Sequence, residues 1–239
     1  MGVNAQTTVP KFTAGQVLTA AQQTGINTGI PVFATTTTRD AAFGGSNKVL
    51  AEGQFAYIEA TDTTQFYDGA AWQSVGASGL TLIKTQTIGS AVSSVAVTGV
   101  FSATYDNYKI IVNGGAGSGD SNIGLTLGAS ATGYYSGGAI WQYPNTQTSA
   151  GDNNATSWTR AATMTTNAIS ADITLLQPFA AARTSFNCWV MWNTTTTNNY
   201  GGLQAGFHNV STSYTDFTLT PASGTMTGGT IRVYGYRNS

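Results

Sequence analysis

From residue 80 onward, apolar and polar side chains alternate in short runs, each closed by Gly, Asn, Ser or Pro. Such period-two runs predict strands with one buried face. They fall at 80–88, 94–100, 108–113, 122–127, 134–143, 156–164, 171–176, 186–192, 203–208, 214–219 and 229–236. No helical spacing of useful length interrupts them, so 80–239 is expected to be an antiparallel β-sandwich of jelly-roll type. The Asn- and Thr-rich windows 145–157 and 193–200 exceed hairpin length and are expected to be loops, where binding on a rigid sandwich usually sits. Gly114 to Gly119 reads as a flexible turn.

The first third follows a different pattern. Residues 1–31 read as an arm with one short helix: Thr13 and Gln16 have capping-box spacing, Val17, Leu18, Ala20 and Ala21 are helix formers, and Gly25 is a stop. The arm has too few large apolar side chains for a core, so it is expected to lie against another part of the molecule or a neighbouring subunit. Residues 32–75 predict a small β-meander. Val32-Phe33 opens a strand, Thr38 caps one helical turn through Ala42, and a strand follows over Gln54 to Ala60 with Phe55, Tyr57 and Glu59 on one face. Asp68-Gly69 is a hairpin signal leading into Ala71 to Val75. Phe55, Tyr57, Phe66, Tyr67 and Trp72 are the expected packing residues, and residues 76–79, Gly-Ala-Ser-Gly, are the expected linker. The fold class is thus all-β with one short helix.

Composition changes the picture of the surface. Charged residues make up 8% of the chain, against roughly 25% in an average globular protein. With 40 threonines and 29 glycines in 239 residues, hydroxyls and amides must wet the surface. A net charge of -1 supplies no field for nucleic acid or an anionic bilayer. No apolar run approaches the 18 residues of a membrane span, and no basic-then-apolar leader opens the chain, so synthesis without a signal peptide is expected.

Candidate chemistry is sparse. Cys188 sits in a strand-like run and reads as a buried, inert thiol, and His208, the single histidine, reads as structural. The chain has no Gly-x-Ser-x-Gly elbow and no phosphate-binding Gly-Lys-Ser/Thr, and Gly115-Ala-Gly117-Ser-Gly119-Asp120 lacks the last glycine of the dinucleotide pattern. The acids are scattered singly. Asp120, Asp152 and Asp216 are expected to cap turns, with a divalent ion at Asp120 or Asp152 as the alternative. A non-enzymatic protein without cofactor or metal is the expectation. The aromatic residues are richer: Tyr134, Tyr135, Trp141, Tyr143 and Trp158 surround a Gly- and Asn-rich stretch and are candidates for stacking on a glycan. The competing reading places Trp141 and Tyr143, which share a strand face, in the core.

Two stretches carry a resemblance. Phe12-Thr13-Ala14-Gly15-Gln16-Val17-Leu18-Thr19-Ala20-Ala21, then Val32-Phe33-Ala34-Thr35, Arg39-Asp40-Ala41-Ala42, Glu52-Gly53-Gln54 and Phe66-Tyr67-Asp68-Gly69-Ala70-Ala71-Trp72, resemble the N-terminal region of tailed-bacteriophage structural proteins, minor tail proteins and tail fibres among them. Phe101, Tyr105 to Val112 and Gly228 to Gly235 are similar to strands of phage β-sandwich domains. The resemblance implies a virion protein on the particle surface. Residues 1–75 would attach it to other phage proteins, with Phe12, Val17, Leu18, Phe33, Arg39 and Trp72 as attachment residues, and 80–239 would face the host. It also implies a homotrimer. A capsid decoration protein or head fibre, a glycan-binding receptor lectin and a polysaccharide depolymerase are the alternatives.

Overall fold

The computed structural model describes residues 6–20, 22–23, 29–75, 79–142, 146–192 and 200–237. The chain forms two compact units, 1–78 and 79–239, each with its own core.

The first unit contains β1 (Val32–Phe33), the helix α1 (Thr36–Ala41), β2 (Phe55–Ile58), a 3-10 turn (Glu59–Thr61), β3 (Thr63–Tyr67) and β4 (Trp72–Ser74). The sheet runs β1-β2-β3-β4, with β1 parallel to β2 and the rest antiparallel. The helix starts earlier than the sequence suggests. Thr35, not Thr38, is the N-cap: its Oγ1 accepts from the Thr38 amide at 3.2 Å, while Thr38 Oγ1 accepts from the Thr35 amide at 3.0 Å. The two threonines complete a capping box that a lone Thr38 could not. The hairpin at Asp68-Gly69 forms as expected. The Asp68 carboxylate accepts from the Ala71 and Ala70 amides and from Gln73 Nε2, which holds it below the usual carboxylate range.

The core of this unit is not built by the expected aromatic face. Ala56 and Ile58 point inward to meet Val9, Phe33 and Ala42, with Phe43 and Trp72 against them. Phe55 and Phe66 instead pair with each other on the outer face, ring centroids 6.3 Å apart. Alternation makes one face of β2 apolar and leaves the choice of face to packing, and the small Ala56 admits the helix side. The arm is part of this core over residues 6–9: the Val9 amide donates to Ala42 O at 3.1 Å and Val9 O accepts from the Lys48 amide at 2.9 Å. Further along, Thr13 and Gln16 close a single turn around Gly15 at φ 80°, and the helical residues Ala20, Gln22 and Gln23 are capped by Thr19. The expected stop at Gly25 lies outside the described residues, as does linker 76–79 except Gly79.

In the second unit the strands are β5 (Leu80–Thr87), β6 (Val95–Val97), β7 (Asn107–Asn113), β8 (Ala116–Gly117), β9 (Ser121–Leu127), β10 (Tyr134–Gln142), β11 (Thr146–Ala155), β12 (Trp158–Met164), β13 (Ile169–Leu176), β14 (Thr184–Trp192), β15 (Tyr200–His208), β16 (Phe217–Pro221), β17 (Met226–Thr227) and β18 (Thr230–Tyr236). One sheet runs β5-β18-β7-β13-β14-β15-β10-β11 and the other β6-β16-β9-β12, antiparallel throughout. The sheets are continuous at one corner, where β12 passes into β13 through the pair Met164 and Ile169. The strand order β5-β18-β7-β13 over β6-β16-β9-β12 is that of an eight-stranded jelly roll. Hairpin β10–β11 is inserted between β9 and β12, and hairpin β14–β15 between β13 and β16. Both insertions add to the same edge, beside β13, and widen that sheet to eight strands.

Alternation works inside the sandwich as the sequence suggests. Ile110, Ile173, Ile231 and Val233 of the large sheet meet Ile123, Leu125, Phe217 and Leu219 of the small one. Two sequence expectations fail here. The window 145–157 is largely strand β11, held by its ladder to β10 despite having no apolar face. It is an edge strand whose hydroxyls and amides remain in water, so nothing in its hydropathy marks it. Gly114 to Gly119 contains the short β8, and Gly115 at φ 73° is a close crossing rather than a loose turn: a Cβ there would lie 2.2 Å from Gly228 O. Among the described residues no helix is long and apolar enough to cross a membrane.

Candidate functional site

The widened edge of the large sheet positions the site. In β14, Thr184, Phe186, Cys188 and Val190 point into the sandwich, so Trp189 and Met191 must face outward. In β15, Gln204 and His208 are buried and Leu203 and Phe207 face out; in β10, Tyr134 is buried and Trp141 faces out. Register aligns these outward residues across the strands. Trp141 is opposite Gly201, which is opposite Met191; one step along, Leu203 is opposite Trp189. Trp141 is 43% exposed, Trp189 56% and Met191 61%.

These side chains surround an open concavity of about 1250 Å³, walled by Trp141, Trp189 and Met191 and rimmed by Asn113, Gln147 and Ser170. Among the described residues its one charged lining residue is Asp172, which is ion-paired with Lys109. Beyond it the apolar face continues. Phe207 is stacked on Tyr135, centroids 5.1 Å apart and planes 15° from parallel, with the Arg183 guanidinium 5.5 Å from its ring centre. Leu80, Leu82 and Leu176 are exposed on the same sheet.

The glycan candidates separate accordingly. Trp141 lies in the concavity and Tyr135 is half-buried on the same face. Tyr134 and Trp158 are fully buried and belong to the core, so neither presents a face to a ligand. Tyr134 OH accepts from the Leu127 amide at 2.7 Å and donates to Ser130 O at 3.2 Å, and burial pushes its phenol up to about 12. Trp158 Nε1 donates to Tyr135 O at 3.2 Å. Tyr143 lies outside the described residues. Sequence reasoning missed Trp189, Met191 and Gly201. A signal was present: residues 186–191 carry apolar side chains on both parities, which a strand buried on one face does not need.

The remaining candidates are structural. Asp152 does not cap a turn: it lies within β11, and its carboxylate ties that strand to both neighbours, accepting from Ser136 Oγ of β10 at 2.7 Å and, in β12, from Thr159 Oγ1 at 2.6 Å and the Thr159 amide at 3.0 Å. Among the described residues no group of three His, Cys, Asp or Glu converges to hold a metal. Cys188 is buried, donates to Arg160 O at 3.3 Å, and burial pushes its thiol up to about 12. His208 is fully buried between Tyr134 and Tyr214. Its Nε2 lies 3.0 Å from Thr132 O, which can only accept, so Nε2 is the protonated nitrogen. Burial lowers its pKa from the ordinary imidazole value, and the neutral form is favoured.

Of the expected attachment residues, Phe33 is fully buried and Arg39 nearly so. Arg39 lies 4.6 Å above the Trp72 ring, bonds Asp40 Oδ1 through Nε at 2.9 Å, and reaches Gln65. These three residues hold the first unit together, whereas Val17 of the arm is 89% exposed and Phe12 and Leu18 are half-buried. Comparison with known protein families, with curated proteins and with solved structures finds no match.

Proposed function

We propose that this chain is a non-enzymatic structural protein of a bacteriophage virion, a tail fibre or minor tail protein. The first unit attaches it to other virion proteins, and the jelly roll presents its widened sheet to the host surface. The observation that carries this reading is the outward face of that sheet, where Trp141, Trp189, Met191, Leu203 and Phe207 are exposed together. A monomeric surface keeps such side chains apart, and a patch of this kind marks a contact surface. The attachment role and a threefold assembly rest on the resemblance of the first third. The ionisable groups of the site support binding rather than catalysis: Asp172 is neutralised by Lys109, while His208 and Cys188 point away into the core.

The test is immunoelectron microscopy of particles with an antibody against residues 79–239. Label on the tail tip or fibres is the expected result. Label spread over the head would assign the protein to capsid decoration or a head fibre instead, and unlabelled particles would overturn the virion reading.

A further inference from the structure

The outward face of the large sheet contains a slot one strand wide, and its floor is a glycine. Gly201 of β15 is paired with Trp141 of β10 on one side and Met191 of β14 on the other. Directly opposed residues of antiparallel strands point to the same face, so all three positions look outward. Trp141 and Met191 therefore rise from backbones two strand spacings apart, about 10 Å. Between them Gly201 contributes no side chain, and among the described residues nothing lies within 4 Å of where its Cβ would be. Trp189 stands one pleat further along β14 and closes one end.

The lining chemistry is specific. Indole faces and a thioether offer dispersion contact to a flat, C–H-rich ring, and the rim offers carboxamides at Asn113 and Gln147 and a hydroxyl at Ser170. Among the described residues no cation lines the concavity, and the one anion there, Asp172, is already paired. A phosphorylated, sulfated or sialylated ligand would find no counter-charge here, and a purely aliphatic ligand would leave the amide rim unused. The volume of about 1250 Å³ exceeds the roughly 300–1,000 Å³ of common small-molecule pockets, which favours several linked rings over one.

We propose that this slot binds an uncharged saccharide, with one sugar ring seated over Gly201 between Trp141 and Met191, and neighbouring rings along Trp189 and the amide rim. The inference deepens the host-contact reading above and rests on it for its biological setting. It needs no residue of the core and assigns no catalytic step.

The experiment titrates the full chain with glucose, galactose, mannose and N-acetylglucosamine and their linear oligomers, following tryptophan fluorescence and heat. A sialylated and a sulfated oligosaccharide serve as controls. Saturable binding of at least one neutral oligomer, and of neither control, is expected. Gly201→Val fills the slot without leaving the extended backbone of β15, and it should weaken that binding at least tenfold with an unchanged melting temperature. Trp141→Ala should do the same by removing one wall. Failure of the whole panel, or binding unaffected by either variant, would overturn the proposal. Sedimentation of the same samples covers the competing occupant: if the wild-type chain self-associates through this face and Gly201→Val dissociates it, the slot is a subunit interface and the saccharide site is overturned. Antibody labelling of the particle is independent of sugar binding. Labelled particles with no binding would remove the site alone, and binding without label would remove the virion reading alone.

Discussion

Trp158 lies flat on Phe186, their ring centroids 4.4 Å apart and their planes 11° from parallel. The first residue belongs to β12 of the small sheet and the second to β14 of the large one, so this stack fastens the inserted hairpin β14–β15 to the jelly roll. Tyr134 meets the same indole edge-on at 5.1 Å, which brings the other insertion, β10–β11, to the same point. Trp158→Ala should therefore cost about 3–5 kcal/mol, the range for losing a large buried aromatic. Urea unfolding should show Phe186→Ala to be similarly costly, with a coupling of about 0.5–1.5 kcal/mol in the double-mutant cycle. A loss below 1 kcal/mol would mean that the widened sheet stands without this fastening.

His208 makes stability depend on pH near neutrality. Burial lowers its pKa in the folded chain, whereas the unfolded chain takes up a proton as pH falls below about 6.5. The unfolded state then binds more protons than the folded one, so stability present above that pH is lost as pH falls toward the folded-state value. Melting temperature should drop between pH 7.5 and 5.5 in the wild type. His208→Gln should flatten that slope, and a parallel slope in the variant would refute the assignment.

Cys188 should be unreactive in the native protein. With its thiol pushed up to about 12 and bonded to Arg160 O, almost no thiolate exists at pH 8. Native protein should resist an aromatic disulfide reagent for hours, and denatured protein should react within minutes. Rapid native labelling would show that the β14–β15 region opens.

Two glycines of β15 should respond in opposite ways to the same change. A Cβ on Gly206 would lie 1.9 Å from Tyr135 O, so Gly206→Ala must push β10 and β15 apart and should cost about 1–3 kcal/mol. At Gly201, where a Cβ meets open space among the described residues, alanine should be neutral or slightly stabilising, by about 0.4–1 kcal/mol, through the unfolded state. Equal losses at both positions would contradict the register of the strand.

The two cores share no residue, so residues 79–239 should fold without the first unit. The expected result is a single cooperative thermal transition and an unchanged near-ultraviolet circular dichroism signal per tryptophan of that unit. On the attachment reading, this fragment should also fail to enter particles when it replaces the full chain. Its incorporation at normal levels would place the attachment surface on the jelly roll.

Several features were legible from residue order alone. Alternation located all eleven strands expected beyond residue 80, because a strand with one buried face must repeat every second residue. The Asp68-Gly69 turn was equally legible, since a carboxylate beside a residue tolerant of positive φ bonds the amides that follow it. Local chemistry was sufficient for these elements.

Tertiary structure decided which side of each strand faced in. Trp141 and Trp158 look alike in sequence, yet one is 43% exposed and the other fully buried, because β12 lies in the small sheet under β14 while β10 lies beyond the jelly roll near an edge. The polar strand β11 exists through its ladder to β10 and has no hydropathy signal of its own. The slot over Gly201 depends on register between strands about 60 residues apart in the chain at Trp141 and ten at Met191. Hydropathy is a property of each segment, whereas register and facing are properties of pairs of segments, and only the packed fold fixes pairs.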